Sequence, residues 1–186
     1  MQELFGMNSF EAGDNLGETE NMKHLEIERK WLIDISKLPK SLDNYPNKRL
    51  VAGYFRGEIN EKIRIRQEGD KYFKVIKGER IDGGMVRDIG LGDIEIAKEE
   101  FERLWPLTEG KRLSKTRYYI PMDGLVAELD VYDDFKNVSF YTIEVEFPTT
   151  EDGKKFIPPE WFGREVTSQE EYSSRNLSSK GVPKDF

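Results

Sequence analysis

From residue 24 the chain alternates. In His24-Leu25-Glu26-Ile27-Glu28-Arg29-Lys30-Trp31-Leu32-Ile33 polar and apolar side chains largely take turns, the period of a strand with one apolar face. The pattern then predicts a short helix or turn at Ser36–Leu42 and a strand at Gly53–Arg56. A hairpin of Lys62–Gln67 and Lys71–Lys77 follows, turning at Glu68-Gly69-Asp70. Gly83-Gly84 marks another turn. Met85–Ile89 and Asp93–Ile96 read as extended pieces interrupted by Gly90 and Gly92. Residues 98–107 have helical spacing. Arg112–Pro121 and Leu125–Tyr132 form a hairpin across Met122-Asp123-Gly124, and Phe140–Phe147 is a strand. Residues 158–163 read as a turn or short helix, and Thr167 with Glu170 as the capping box of a C-terminal helix reaching about Ser179. Many hairpin-joined strands with few helices predict an α+β chain: an antiparallel sheet or barrel with helices packed outside.

Residues 1–22 show neither period and read as a flexible acidic tail, leaving 23–186 as one domain. The tail carries much of the net charge of −7, so the rest is close to balanced. An acidic chain is a poor general binder of nucleic acid, whose affinity rests on phosphate neutralisation. No apolar run is long enough for a membrane helix, and no basic flank precedes an apolar stretch, so a cytoplasmic protein is expected. The absence of Cys excludes disulfides and thiolate chemistry, and a single His excludes a multi-histidine metal site. Composition leaves the oligomeric state open.

The strands carry charge in an unusual arrangement. Residues i and i+2 share a face. Glu26, Glu28 and Lys30 therefore point one way, as do Arg64 with Arg66, Lys115 with Arg117, Glu128 with Asp130, Glu144 with Glu146, and Asp93 with Glu95. Lys77 ends a strand beside Phe73 and Val75. Two carboxylates at this spacing sit roughly 6–7 Å apart and repel by roughly 2–3 kcal/mol at an effective dielectric near 20. Ordinary surfaces intersperse signs, whereas here acids cluster with acids and bases with bases. If the sheet closes, the bases make an anion site and the acids a site for a hard cation such as Mg²⁺ or Mn²⁺. Metal-bound polyphosphate fits such a bore better than either ion alone.

These segments resemble the CYTH family, the triphosphate tunnel metalloenzymes. The ExExK strand is Glu26-Ile27-Glu28-Arg29-Lys30, followed in order by IRIRQ, the IKG ending at Lys77, KTRYYI, ELDVY, IEVEF and the ending FGREVTSQEEYSSRNLSSKG. The resemblance covers about residues 24–182. It implies a closed antiparallel eight-stranded barrel with a charged lumen, and a small-molecule triphosphate substrate, most often inorganic tripolyphosphate. It implies Lys30, Arg64, Arg66, Lys77, Arg87, Lys115 and Arg117 as phosphate ligands. Glu26, Glu28, Glu128, Asp130, Glu144 and Glu146 are the implied metal ligands, with Glu28, Glu26 and Asp130 nearest the chemistry. One departure stands out. Where the family alternates acids after an Arg, this chain reads Arg87-Asp88-Ile89-Gly90-Leu91-Gly92-Asp93-Ile94-Glu95. The alternative activities are a class IV adenylyl cyclase, a thiamine triphosphatase, or polyphosphate binding without turnover.

Overall fold

The computed structural model describes residues 25–55, 63–76, 78, 80–89, 92–135 and 138–186. The acidic tail, His24, Lys77, Gly90 and Leu91 lie outside the described residues. Among the described residues, eleven strands form one antiparallel sheet. They are β1 (Leu25–Ile33), β2 (Asn47–Tyr54), β3 (Ile63–Glu68), β4 (Lys71–Ile76), β5 (Arg80–Ile81), β6 (Val86–Asp88), β7 (Gly92–Glu95), β8 (Arg112–Met122), β9 (Leu125–Tyr132), β10 (Tyr141–Glu146) and β11 (Phe162–Glu165). Helices α1 (Lys98–Leu104), α2 (Thr150–Lys155) and α3 (Ser174–Lys180) pack around it. No helix among the described residues is long and apolar enough to cross a membrane.

The hydrogen-bonded order is β5-β6-β1-β10-β9-β8-β2-β3-β4-β7, with β11 added beside β1. The sheet curls into an open half-barrel, and the expected closed ring of eight strands is not formed by the described ladders. The gap in the ladder falls at the glycine-interrupted middle segment, whose residues 90 and 91 lie outside the described residues. Its first part, β6, pairs with β1, and its second part, β7, pairs with β4 at the opposite end of the sheet. Between them the Gly92 N–H returns to the Ile89 carbonyl (2.7 Å), and Gly92 takes φ +65°, a conformation glycine adopts without strain.

Strands β1, β9 and β10 bury residues on both faces. On β1, Trp31 and Ile33 join Ile120, Leu129, Ile143, Val145 and Phe162 in an apolar layer on the outer face. Helix α2 covers part of it. Thr149 caps α2 by accepting from the Asp152 N–H (3.1 Å), and acids in the first turn with lysines in the last suit the helix dipole. Arg29, also on the outer face, donates to the Gly153 and Phe156 carbonyls (both 2.9 Å) and to Glu165, tying α2 and β11 to β1. A second cluster of Leu113, Tyr132, Phe140, Val166, Tyr172 and Leu177 seats the C-terminal segment.

Several local expectations change. The 98–107 helix is α1 followed by a 3-10 turn, Trp105–Thr108, because Pro106 cannot continue the α pattern. The pattern marks no element over residues 150–155, which form α2, and β11 overlaps the end of the turn or short helix expected at 158–163. Thr167 does not cap a helix. Its hydroxyl accepts from the Lys30 N–H (3.0 Å) and donates to Glu165 (2.6 Å), while Ser173 caps α3.

Candidate active site

The inner face of the sheet encloses a cavity of about 720 Å³. Strand register decides which charges meet there. Directly opposed residues lie roughly 4.5–5.5 Å apart at Cβ, and like charges so placed are destabilising. Yet Glu28 stands opposite Glu146, and Glu144 opposite Glu128. Lys30 faces Glu144, Arg117 faces Asp130, and Glu26 faces Arg87. Period-2 alternation sets each side chain on this face, and the apolar coat outside holds the strands in place against the repulsion.

The floor of the cavity is a buried ionic network centred on Arg117. Its Nε and Nη2 donate to the two Asp130 oxygens (2.7 and 2.8 Å), Nη2 also reaches Glu144 (2.8 Å), and Nη1 donates to Glu128. Lys115 donates to Asp130 as well. Lys30 pairs with Glu144 (2.8 Å) and donates to the Tyr172 carbonyl (3.1 Å). Burial opposes the charge on Asp130, but Arg117 and Lys115 outweigh it and hold the carboxyl below its ordinary value. Glu144 is likewise held well below the carboxylate range, burial being overcome by Lys30, Arg117 and Lys115. Lys30 is raised because Glu144, Tyr132 and Glu28 offset burial. Lys115 goes the other way: burial and neighbouring Arg117 push it down to about 8. Glu128 is raised, chiefly by burial.

Toward β6, Glu26, Glu28 and Glu146 bring carboxylate oxygens within 4.8 Å of one another. Three oxygen donors so grouped fit a hard divalent ion. In the same cavity the buried Nε atoms of Arg64 and Arg66, and of Arg87 beside the trio, have no hydrogen-bond partner. Buried donors are normally satisfied, so these three mark where acceptor oxygens are needed.

Of the residues singled out from sequence, Glu26, Glu28, Lys30, Arg64, Arg66, Arg87, Lys115, Arg117, Glu128, Glu144 and Glu146 all line this one cavity. Lys77 lies outside the described residues. Asp130 is set apart: it has no exposed surface, and both its oxygens are taken by Arg117 and Lys115 beneath the wall. Of the middle-segment acids, Asp93 lines the cavity and accepts from Arg66, while Glu95 lies outside it and pairs with Lys71 (3.2 Å). Of the consecutive tyrosines on β8, Tyr119 faces the cavity and Tyr118 packs against the outer apolar layer.

Sequence reasoning missed Tyr54, Glu68, Arg80, Glu170 and Arg175 in the wall. Tyr54 and Glu68 end strands whose charged or apolar neighbours were read without them. Arg80 sits on a strand of two residues, too short for any period to show. Glu170 and Arg175 come from the C-terminal segment, which the sequence presents as a helix and the fold returns to the cavity.

No protein-family model matches the chain. The chain is 37% identical over 160 residues to an inorganic triphosphatase of Nitrosomonas europaea, spanning 82% of this chain and 96% of that protein. It is 30% identical over 152 residues to an inorganic triphosphatase of Acetivibrio thermocellus, spanning 82% and 92%. A solved structure described as an inorganic triphosphatase superposes with a TM-score of 0.60 at 35% identity, covering 85% of this chain and 96% of the other.

Proposed function

The chain belongs to the CYTH family of triphosphate tunnel metalloenzymes, among the inorganic triphosphatases, and from that premise we propose that it hydrolyses inorganic tripolyphosphate in the ionic cavity. The observation that carries this reading is the confrontation of like charges at one cavity: Glu28 against Glu146 beside Glu26, with three arginines in the same wall whose buried Nε donors are unpartnered. A fold maintains such a cost where a ligand relieves it.

Lys30, Arg64, Arg66, Arg87, Lys115 and Arg117 bind the triphosphate oxygens, the guanidiniums by paired N–H donation. Lys77, outside the described residues, joins the set as the sequence resemblance implies. Glu26, Glu28 and Glu146 hold Mg²⁺ or Mn²⁺, with Glu128 and Glu144 behind them. When bound, the ion supplies neutralisation of the phosphate oxygens and a water of lowered pKa. Glu28 and Glu26 orient the attacking water, whose oxygen bonds to the terminal phosphorus as the anhydride P–O bond breaks and pyrophosphate leaves. Asp130 contributes as a positioning residue that fixes Arg117 and Lys115. We also read β6 and β7 as two halves of one interrupted strand, which with β1, β10, β9, β8, β2, β3 and β4 makes a tunnel of eight. Amide exchange checks this: β6 and β7 opening as a single unit is expected, and independent opening counts against it.

The deciding experiment incubates the full chain with tripolyphosphate, pyrophosphate, ATP and thiamine triphosphate, each with Mg²⁺, Mn²⁺ or EDTA. Metal-dependent release of phosphate from tripolyphosphate, abolished by EDTA, is the expected outcome. Cyclic AMP from ATP, a preference for thiamine triphosphate, or binding without turnover each overturns the reading.

Lys115 sets an alkaline limit. With its ammonium pushed down to about 8, it is charged below that pH and neutral above it, so a phosphate-binding charge disappears as pH rises. Because kcat/KM reports groups of the free enzyme, it should fall on the alkaline side with an apparent pKa near 8. Lys115→Arg, which stays protonated, should lose that limb; an identical alkaline limb in the variant assigns it to another group.

A further inference from the structure

Arg80 holds a position in the cavity that phosphate binding does not account for. It stands on β5, directly opposite Arg87 on β6, a like-charge pair at the end of the sheet. Its Nη2 donates to Glu28 Oε1 (2.5 Å), with Arg87 Nη2 3.9 Å from the same oxygen. Nη1 donates to the Gly84 carbonyl, and Nε lies 3.8 Å from the Glu170 carboxylate. Two of the three guanidinium nitrogens thus donate to protein acceptors, and the side chains of Arg80 and Glu28 are only 15% and 7% exposed. Glu28 is also the central member of the carboxylate trio. One carboxylate therefore serves both a fixed cation and the site that suits a divalent ion.

We propose that Arg80 is a built-in counter-cation on Glu28 that competes with divalent metal for this carboxylate, so that free metal binds weakly and metal and triphosphate enter together. The proposal rests on the metal-triphosphate reading above. A unit positive charge a few ångströms from the trio opposes a doubly charged ion, and the shielded wall screens that repulsion poorly. The described wall carries eight acidic and eight basic residues, so its formal charge favours neither a lone cation nor a lone anion. A triphosphate arriving with its metal resolves the conflict: its own negative charge offsets the repulsion between Arg80 and the ion, and its oxygens offer acceptors to Arg87. In this role Arg80 is a positioning residue, setting the charge and orientation of Glu28.

The test is a Mn²⁺ titration of the full chain without substrate, following free Mn²⁺ by electron paramagnetic resonance, for the wild type, Arg80→Gln, Arg80→Met and Arg80→Lys. Both neutral variants should bind Mn²⁺ about tenfold more tightly than the wild type, while Arg80→Lys stays within about threefold of it, because the effect follows charge. The free-metal concentration for half-maximal hydrolysis should drop in the neutral variants by a similar factor. Unchanged or weaker Mn²⁺ binding in the neutral variants overturns the proposal, and so does equal tightening in Arg80→Lys. A merely structural role predicts loss of affinity in all three. Because the titration contains no substrate, the two readings fail separately. Wild type that binds Mn²⁺ as stated but leaves tripolyphosphate intact sinks the hydrolase reading. An active wild type whose neutral variants bind Mn²⁺ no better sinks the role of Arg80.

Discussion

Glu28→Gln is expected to lower tripolyphosphate turnover by about 100-fold or more while the protein stays folded. Gln keeps the size of the side chain and an oxygen able to accept from Arg80, but removes the negative charge from the centre of the trio. Glu28 is 5% exposed and stands opposite Glu146, so its neutralisation also removes a repulsion. Thermal unfolding should therefore show a Tm within a few degrees of wild type, the lost repulsion offsetting the weakened pair with Arg80. That combination separates a residue kept for chemistry from one kept for stability. Initial rates at saturating Mg²⁺ and a melting curve decide it, and turnover within a few fold of wild type would remove Glu28 from the reacting centre.

Arg117→Ala should act in the opposite sense on stability. Its guanidinium is the shared partner of Asp130, Glu144 and Glu128. Its removal leaves Asp130, a carboxylate with no solvent contact, to Lys115 alone, and breaking a buried ion pair from one side costs about 3–5 kcal/mol. That is a large part of the 5–15 kcal/mol typical of a folded domain. At about 2–4 °C per kcal/mol for a chain of this size, Tm should fall by roughly 10 °C. The effect has a pH signature. Asp130 and Glu144 have folded pKa values below their ordinary 3.8 and 4.5, so the stabilisation they draw from Arg117 is present above those values and lost as pH falls through the folded ones. The gap between wild type and variant should thus narrow in acid, as the variant's carboxyls take up protons. Urea midpoints at pH 7 and pH 4 measure it; a gap independent of pH would assign the loss to packing instead. Activity should fall with Arg117→Ala as well, and Arg117→Lys, which keeps the charge but not the fork, should recover stability better than turnover.

Much of this site could be read along the chain because a strand has a period of two. Once Glu26, Glu28 and Lys30 alternate with Leu25, Ile27 and Trp31, all three acids and bases share one face whatever the strand pairs with. The same holds for Arg64 with Arg66, Lys115 with Arg117, and Glu144 with Glu146. Local alternation therefore determined the charged faces, most of the strands and eleven of the residues that line the cavity.

What local pattern does not carry is register, depth and arrival from afar. Glu28 meets Glu146 because β1 and β10 align at one register among several that alternation permits. Asp130 and Glu128 share a face of β9, but only the crossing of Arg117 and Lys115 above Asp130 puts the one beneath the wall and leaves the other in it. Arg80 and Arg175 enter from a two-residue strand and a C-terminal helix, where no period marks the inward direction. Those outcomes come from pairings between segments distant in sequence, settled by the apolar layer outside the sheet and by which ends of the sheet β6 and β7 reach. The chain alone thus specified which side chains are ionic neighbours along a strand, and the tertiary structure decided which of them confront one another across it.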